Sequence, residues 1–424
     1  MDNPGLAAAA LILVAFALVS ARAEKGVVTP PMVFVLFGLF ANWTGLLDLD
    51  PKGTLVHLLA EIALVMVLFI DAARIDLRRL FSEHTLPLRM LGIGMPLSIA
   101  LGGAAAWALF PELGLAAAAL LATILTPTDA ALGQATVTSP ALPVRIRQAL
   151  NVESGLNDGL ALPLVVLFLS LASLGYAQER EMPWLLFVLL QVTLGPLVGV
   201  AVGFAGGKLM MRACERGWIS ESFQGLAAIG FAVLAFAAAG LVKGNGFVAA
   251  FTAGLAFGHV ARRVDRFLLE FGEAEGQLLI LSVFLLFGAA LVPDTLPHLD
   301  WRIVLFAVLA LTAIRMISIA VSLLGSGLHR STLAFLGWFG PRGLASIVFA
   351  LLVAEQKQLP GAELILHVTV VAVFLSVFAH GMSAQPLSRA YGKSCTARED
   401  AFREERKEVA AMPTRYRMPG PRGQ

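Results

Sequence analysis

N-V-E-S-G-L-N-D-G, Asn151 to Gly159, puts Glu153, Ser154, Asn157 and Asp158 near the start of an apolar run, Ile146 to Leu174, long enough to cross a bilayer. Two potential charges and two polar groups thus enter hydrocarbon. On insertion scales one mid-membrane carboxylate costs roughly 2.5–3.5 kcal/mol, so such groups line a water-filled path or face a partner. At about 100° per residue, Ser154 and Asp158 share one helix face, and Glu153 and Asn157 share the neighbouring one. One face is a candidate cation holder. The next is a candidate structural contact.

The surrounding chain has the composition of a membrane protein. Of 424 residues, 58% are hydrophobic and only 14% charged, far from the usage of soluble domains, and a net charge of +2 argues against nucleic acid as a partner. Cys214 and Cys395 are too few for a disulfide framework. Leu6 to Ser20 followed by A-R-A, Ala21 to Ala23, resembles a cleavable leader, but Met1 to Gly5 carries no Lys or Arg. A retained first helix is expected.

Apolar runs of spanning length fall near 5–21, 30–46, 55–71, 86–109, 115–137, 146–174, 184–211, 221–241, 245–259, 277–292, 301–324, 333–353 and 363–388. The chain is therefore expected to be an all-α polytopic membrane protein of about thirteen transmembrane helices, followed by a disordered cytoplasmic tail over 391–424. Alternate connections collect the basic residues: Arg22 and Lys25; Arg74, Arg78, Arg79 and Arg89; Arg145 and Arg147; Arg212 and Arg216; Arg262, Arg263 and Arg266; Arg330. The connections between them hold scattered Lys52, Arg180, Lys243 and Lys357 among acids. The positive-inside rule then sets the amino terminus outside and the carboxyl terminus in the cytoplasm.

Two of these runs carry breakers. T-P-T-D, Thr126 to Asp129, interrupts the fifth, and G-W-F-G-P-R-G, Gly337 to Gly343, interrupts the twelfth. Proline removes a backbone donor and clashes with the preceding turn. Unwound backbone at membrane depth survives only inside protein or along a cavity. Pro127 and Pro341 hold matching places in two six-helix blocks separated by the seventh helix, which inverts the second block relative to the first. Such a pair points to a transporter site near the midplane. Where two broken helices cross, like ends meet; Asp129 is placed to compensate amino ends and Arg342 carboxyl ends. A simple buried Asp129–Arg342 pair is the other reading.

Taken together and in order, these motifs resemble the cation:proton antiporter-1 branch of the monovalent cation/proton antiporters, over Leu6 to Arg389. E-S-G-L-N-D is similar to the family's E-S-x-x-N-D helix and T-P-T-D to its unwound T-D segment. G-P-R-G-L-A-S resembles its G-x-R-G stretch, and R-M-I-S-I, Arg315 to Ile319, its R-x-x-S-V. L-F-I-D-A, Leu68 to Ala72, lies where relatives have an acid late in the third helix. Ala130 and Pro341 depart from the family pattern.

The resemblance implies that Asp158 alternately binds cation and proton, with Asp129, Ser154 and the Thr128 carbonyl completing the shell and Asp71 reaching in from a facing domain. It implies that Glu153 pairs with Arg315 as a structural contact. It also implies a mobile core (about 86–174 and 301–389), a scaffold (about 5–71 and 184–292) that forms a homodimer, and a bacterial plasma membrane location. An ordinary interfacial acid is the competing reading of Asp71.

Hard monovalent cations, Na⁺, K⁺ or Li⁺, take oxygen ligands, and this set supplies only oxygen. Burial favours the protonated carboxyl and a bound cation the ionised one, so a cation and a proton compete for one group. Asn157 stands where a second aspartate would add a protonatable site, so one-for-one, electroneutral exchange is expected. Neither an enzymatic activity nor a cofactor is expected, the cation being cargo. His380 reads first as a hydrogen-bonded helix-packing histidine, with pH sensing as the other reading. An intramembrane aspartyl protease using Asp129 and Asp158 is disfavoured by G-L-N-D and leaves the paired breaks unexplained. A channel or an organic-anion symporter on the same scaffold is the stronger rival.

Overall fold

Helices account for nearly all regular structure in the computed structural model, which describes every residue except 1–2, 24–25, 48, 52, 84, 130, 174–182, 262–264, 357–358 and 410–424; no strand occurs among the described residues. We number the apolar helices in chain order. α1 is Asn3–Ala23, α2 Pro30–Trp43, α3 Thr54–Ala73, α4 Thr85–Leu109, α5 Gly114–Ile124, α6 Val144–Ala172 and α7 Trp184–Glu215. Then follow α8 Glu221–Leu241, α9 Gly246–Val260, α10 Gly276–His298 and α11 Trp301–Ser322. α12 comes in two pieces, Arg330–Trp338 and Leu344–Ala354, and α13 is Ala362–Ala397. By length and composition eight of these helices are able to cross a membrane, and five apolar segments are shorter. Ala130, Arg262 and Arg263 lie outside the described residues.

The chain packs in two groups, α2, α3 and α7–α10 in one, α4–α6 and α11–α13 in the other. They meet where α3 and α9 lie against α6 and the second piece of α12. In the first group α7 exposes much of its apolar surface, yet it is held along its length by α9. Gly195, Gly199, Gly203 and Gly207 recur every fourth residue on the α7 face that touches α9. A side chain at the first three would meet the carbonyls of Asn245, Ala249 and Ala253. Between membrane helices, where lipid tails remove the hydrophobic drive, such close backbone approach supplies the packing.

Hydrogen bonds join connections at the two ends of the bundle. At one end Arg89 bonds the carbonyl of Ser322 at 2.8 Å and Arg145 pairs with Glu404 at 3.1 Å. At the other Arg302 pairs with Glu112 at 3.2 Å and His57 with Glu355 at 2.8 Å. Two π-helical turns, Met90–Gly94 in α4 and Phe287–Leu291 in α10, were not legible as such. Each stands just before a proline, Pro96 or Pro293. A missing proline N–H frees a carbonyl in the preceding turn and loosens the local spacing.

Residues 391–409 correct the expectation of disorder from 391 onward. α13 runs to Ala397, a turn of 3₁₀ helix follows at Glu399–Phe402, and the chain is described to Val409. Phe402 is buried against His329 and Tyr391. Fully buried Glu405 accepts the His329 N–H at 2.8 Å and the Thr332 hydroxyl at 2.7 Å. Hydrogen bonds from Lys407 and Arg145 hold the Glu404 carboxyl below the usual carboxylate range. One aromatic and two acids, with no apolar period, anchor the segment, which is why hydropathy misses it. Large-to-small aromatic changes in cores cost about 3–5 kcal/mol. Phe402→Ala should therefore release the strap and expose Cys395, now 2% exposed, to maleimide labelling at least tenfold faster; unchanged labelling would show that the strap holds without Phe402.

Candidate functional site

Both breaks expected from proline appear as gaps in helix, and the two gaps cross. α5 stops at Ile124 and Thr126–Asp129 run without helical structure; α12 stops at Trp338 and resumes at Leu344. The Asp129 N–H donates to the Pro341 carbonyl at 2.7 Å, tying one unwound strand to the other. Ser346 Oγ donates to the Ile124 carbonyl at 2.8 Å, closing the end of α5.

The crossing leaves orphan backbone groups buried inside the protein, where they need partners. Two side chains take them up. The Asp129 carboxylate accepts the N–H of Ala131 at 2.8 Å and that of Leu344 at 3.0 Å, the latter at the amino end of the second α12 piece. The Arg342 guanidinium donates to the carbonyls of Thr126 and of Pro127 (3.0 Å), just past the carboxyl end of α5. The acid therefore faces an amino end and the base a carboxyl end, each against a helix dipole of opposite sign. Gly343 makes the Leu344–Asp129 contact sterically feasible, because a Cβ there would overlap the Asp129 carboxylate.

α6 passes beside this crossing. Its Ser154 hydroxyl lies 3.0 Å from the Thr128 hydroxyl, and the Asn157 amide donates to that same hydroxyl at 2.6 Å. Asp158, the next residue, is 9% exposed, as is Ser154. Thr128, Ser154 and Asn157 are thus joined at one place, with Asp129 and Asp158 next to them along the chain. Glu153 faces elsewhere: its two carboxylate oxygens receive both terminal nitrogens of Arg315 on α11, one at 2.8 Å, and both residues are buried. Gly340 sits against that guanidinium, where a Cβ would overlap it. Asp71 is buried in the last turn of α3, on the element that packs on α6 and α9.

Sequence reasoning gave Ser376 no role and favoured packing for His380. The Arg342 N–H donates to Ser376 Oγ at 2.6 Å, Ser376 Oγ lies 3.0 Å from His380 Nδ1, and His380 Nε2 lies 2.9 Å from the Trp338 carbonyl. This chain satisfies the end of the first α12 piece. The only signal for it was the i, i+4 spacing of a Ser and a His in an apolar helix.

The family model described as "Sodium/hydrogen exchanger, transmembrane" matches residues 9–390. The chain belongs to that family. Its members are cation/proton exchangers, membrane transporters rather than enzymes. A K(+)/H(+) antiporter NhaP of Alkalimonas amylolytica is 28% identical over 385 residues, covering 89% of this chain and 65% of that protein. A K(+)/H(+) antiporter NhaP2 of Shewanella baltica is 24% identical over 375 residues, 84% and 62% of the two chains. This exchanger-family chain therefore spans less than two thirds of the length of those curated relatives. The solved structure of the sodium proton antiporter MjNhaP1 from Methanocaldococcus jannaschii superposes with a TM-score of 0.72 at 19% identity, over 91% of this chain and 97% of that one. The two share a fold.

Proposed function

We propose that this protein is a secondary active antiporter that exchanges one monovalent cation, Na⁺, K⁺ or Li⁺, for one proton at Asp158. The observation that supports the reading is the joining of the α6 helix to the crossing: the Thr128 and Ser154 hydroxyls bond to each other, and the Thr128 hydroxyl accepts from Asn157, the residue before Asp158. Asp158 is the group for which cation and proton compete. Thr128, Ser154 and Asp129 supply neighbouring oxygen, and Asp71 faces them from the other helix group. Asn157 is neutral and engaged with Thr128, so the N-D pair contributes one titratable carboxyl and the exchange is electroneutral. Glu153 with Arg315 joins α6 to α11 and carries no ion.

In this reading the eight long and five shorter apolar helices are thirteen spans forming two inverted six-helix repeats. α4–α6 and α11–α13 move as a core against a scaffold of α1–α3 and α7–α10, through which two copies form a homodimer. The arginine-rich end faces the cytoplasm of a bacterial cell, the amino terminus lies outside, and the exchange serves pH homeostasis. Everted vesicles report the activity directly. Adding Na⁺, K⁺ or Li⁺ singly to acidified vesicles should collapse ΔpH for at least one of them, with the rate unaffected when valinomycin and K⁺ clamp the potential. A response that follows the potential and moves no protons in return would identify a channel, and dependence on an added organic anion would identify a symporter.

A further inference from the structure

Asp158 needs a route to each side of the membrane, and the structure holds a built but interrupted one. A cavity of about 640 Å³ opens at the end of the bundle opposite the arginines, between α6, α7, α9 and the second piece of α12. Leu162 and Val165 of α6 and Phe247 of α9 line its inner part; Lys243, Asn245 and Glu355 line its mouth. Leu162 is one helical turn from Asp158, so the cavity stops one turn short of the site. Phe251 occupies the intervening turn of α9. It is buried, and its ring rests so closely on Gly159 that any side chain there would overlap it. Phe247 and Phe251 are four residues apart on one helix face, the first in the cavity and the second beneath it.

We propose that Phe251, seated on Gly159, is the gate that closes this cavity from Asp158. The contact joins the two helix groups, since Phe251 belongs to α9 and Gly159 to α6, so any sliding of one group past the other changes it. Gly159 fits such a seat because it offers a flat patch of backbone and no Cβ to hold the ring in one position. An apolar ring excludes a hydrated cation without binding it, and a charged or polar residue at the same place would instead add a trapping site. The role assigned to Phe251 rests on Asp158 being the exchange site.

Accessibility tests the gate without requiring transport. In a background lacking Cys214 and Cys395, Val166→Cys, at a part-exposed position lining the cavity, and Gly155→Cys place thiols above and below the ring on α6. In oriented vesicles a membrane-impermeant thiol reagent applied at the cavity end should label Val166→Cys readily and Gly155→Cys slowly. Adding Phe251→Ala should speed labelling of Gly155→Cys from that end at least tenfold, leaving Val166→Cys and labelling from the arginine-rich end unchanged. Phe251→Leu, which keeps most of the bulk, serves as the folding control and should give an intermediate rate. Gly155→Cys reacting equally with Phe251, Leu or Ala present, or accelerating equally from both ends, would overturn the gate. Exchange measured in Asp158→Asn separates the two failures: activity there removes the site, whereas an inert Asp158→Asn with unchanged labelling removes the gate alone.

Discussion

Asp158→Asn should reduce cation-dependent proton movement in proteoliposomes by at least a hundredfold, to the rate of protein-free liposomes. Asparagine keeps the size and hydrogen-bonding reach of the side chain, so the crossing of Thr126–Asp129 with Phe339–Gly343 is expected to stay intact and the variant to purify as the native protein does. What disappears is the only property the exchange needs from this position, a negative charge that either a cation or a proton can neutralise. Ser154→Ala is the contrasting case. It removes one neutral oxygen next to Asp158 and its bond to Thr128, and a lost hydrogen bond of this kind is worth about 0.5–1.5 kcal/mol. That corresponds to a rise of roughly two- to twelvefold in the KM for the cation with kcat largely retained. Native exchange by Asp158→Asn would remove the assignment, and equal loss in both variants would mean that the cluster acts only in holding the fold.

The polar and breaker positions in and around the crossing were legible because each broke a rule of its surroundings. Glu153, Asn157 and Asp158 are polar in a spanning helix, and Pro127 and Pro341 are breakers in two others. The hydrogen bonds these residues make were not legible. Whether Asp129 meets Arg342 or a helix end depends on how two unwound strands cross, and no spacing in one strand encodes the other. Here each oxygen of Asp129 faces a different N–H while Arg342 takes carbonyls. Ser376 escaped notice, and the partners of His380 with it, because a His four residues after a Ser in an apolar helix can turn back on its own helix, as His380 Nδ1 does toward the Ser376 hydroxyl and carbonyl. The docking of 399–409 was missed for the opposite reason. Hydropathy weighs many residues together, and that segment is held by Phe402, Glu404 and Glu405 acting singly.

Glu153→Gln should destabilise the protein in detergent by about 3–5 kcal/mol, the usual cost of removing one partner from a buried ion pair. The Arg315 guanidinium makes two charge-assisted bonds to the Glu153 carboxylate, and both residues are buried, so the charge left behind has no water to turn to. The space around it is fixed as well, since Gly340 lies against the guanidinium. Neutralising the partner in the same chain, Glu153→Gln with Arg315→Gln, removes the stranded charge and leaves two amides able to bond to each other. The double variant should therefore recover at least half of the loss, and thermal unfolding of the three variants beside the native protein measures this as a coupling energy. Because the pair joins α6 to α11 and faces away from Thr128 and Ser154, the folded fraction of each variant should still exchange cations for protons below its melting temperature. Equal destabilisation by Glu153→Gln with or without Arg315 would dissolve the pair, while loss of exchange from a fully folded Glu153→Gln would move Glu153 from the framework into the ion path.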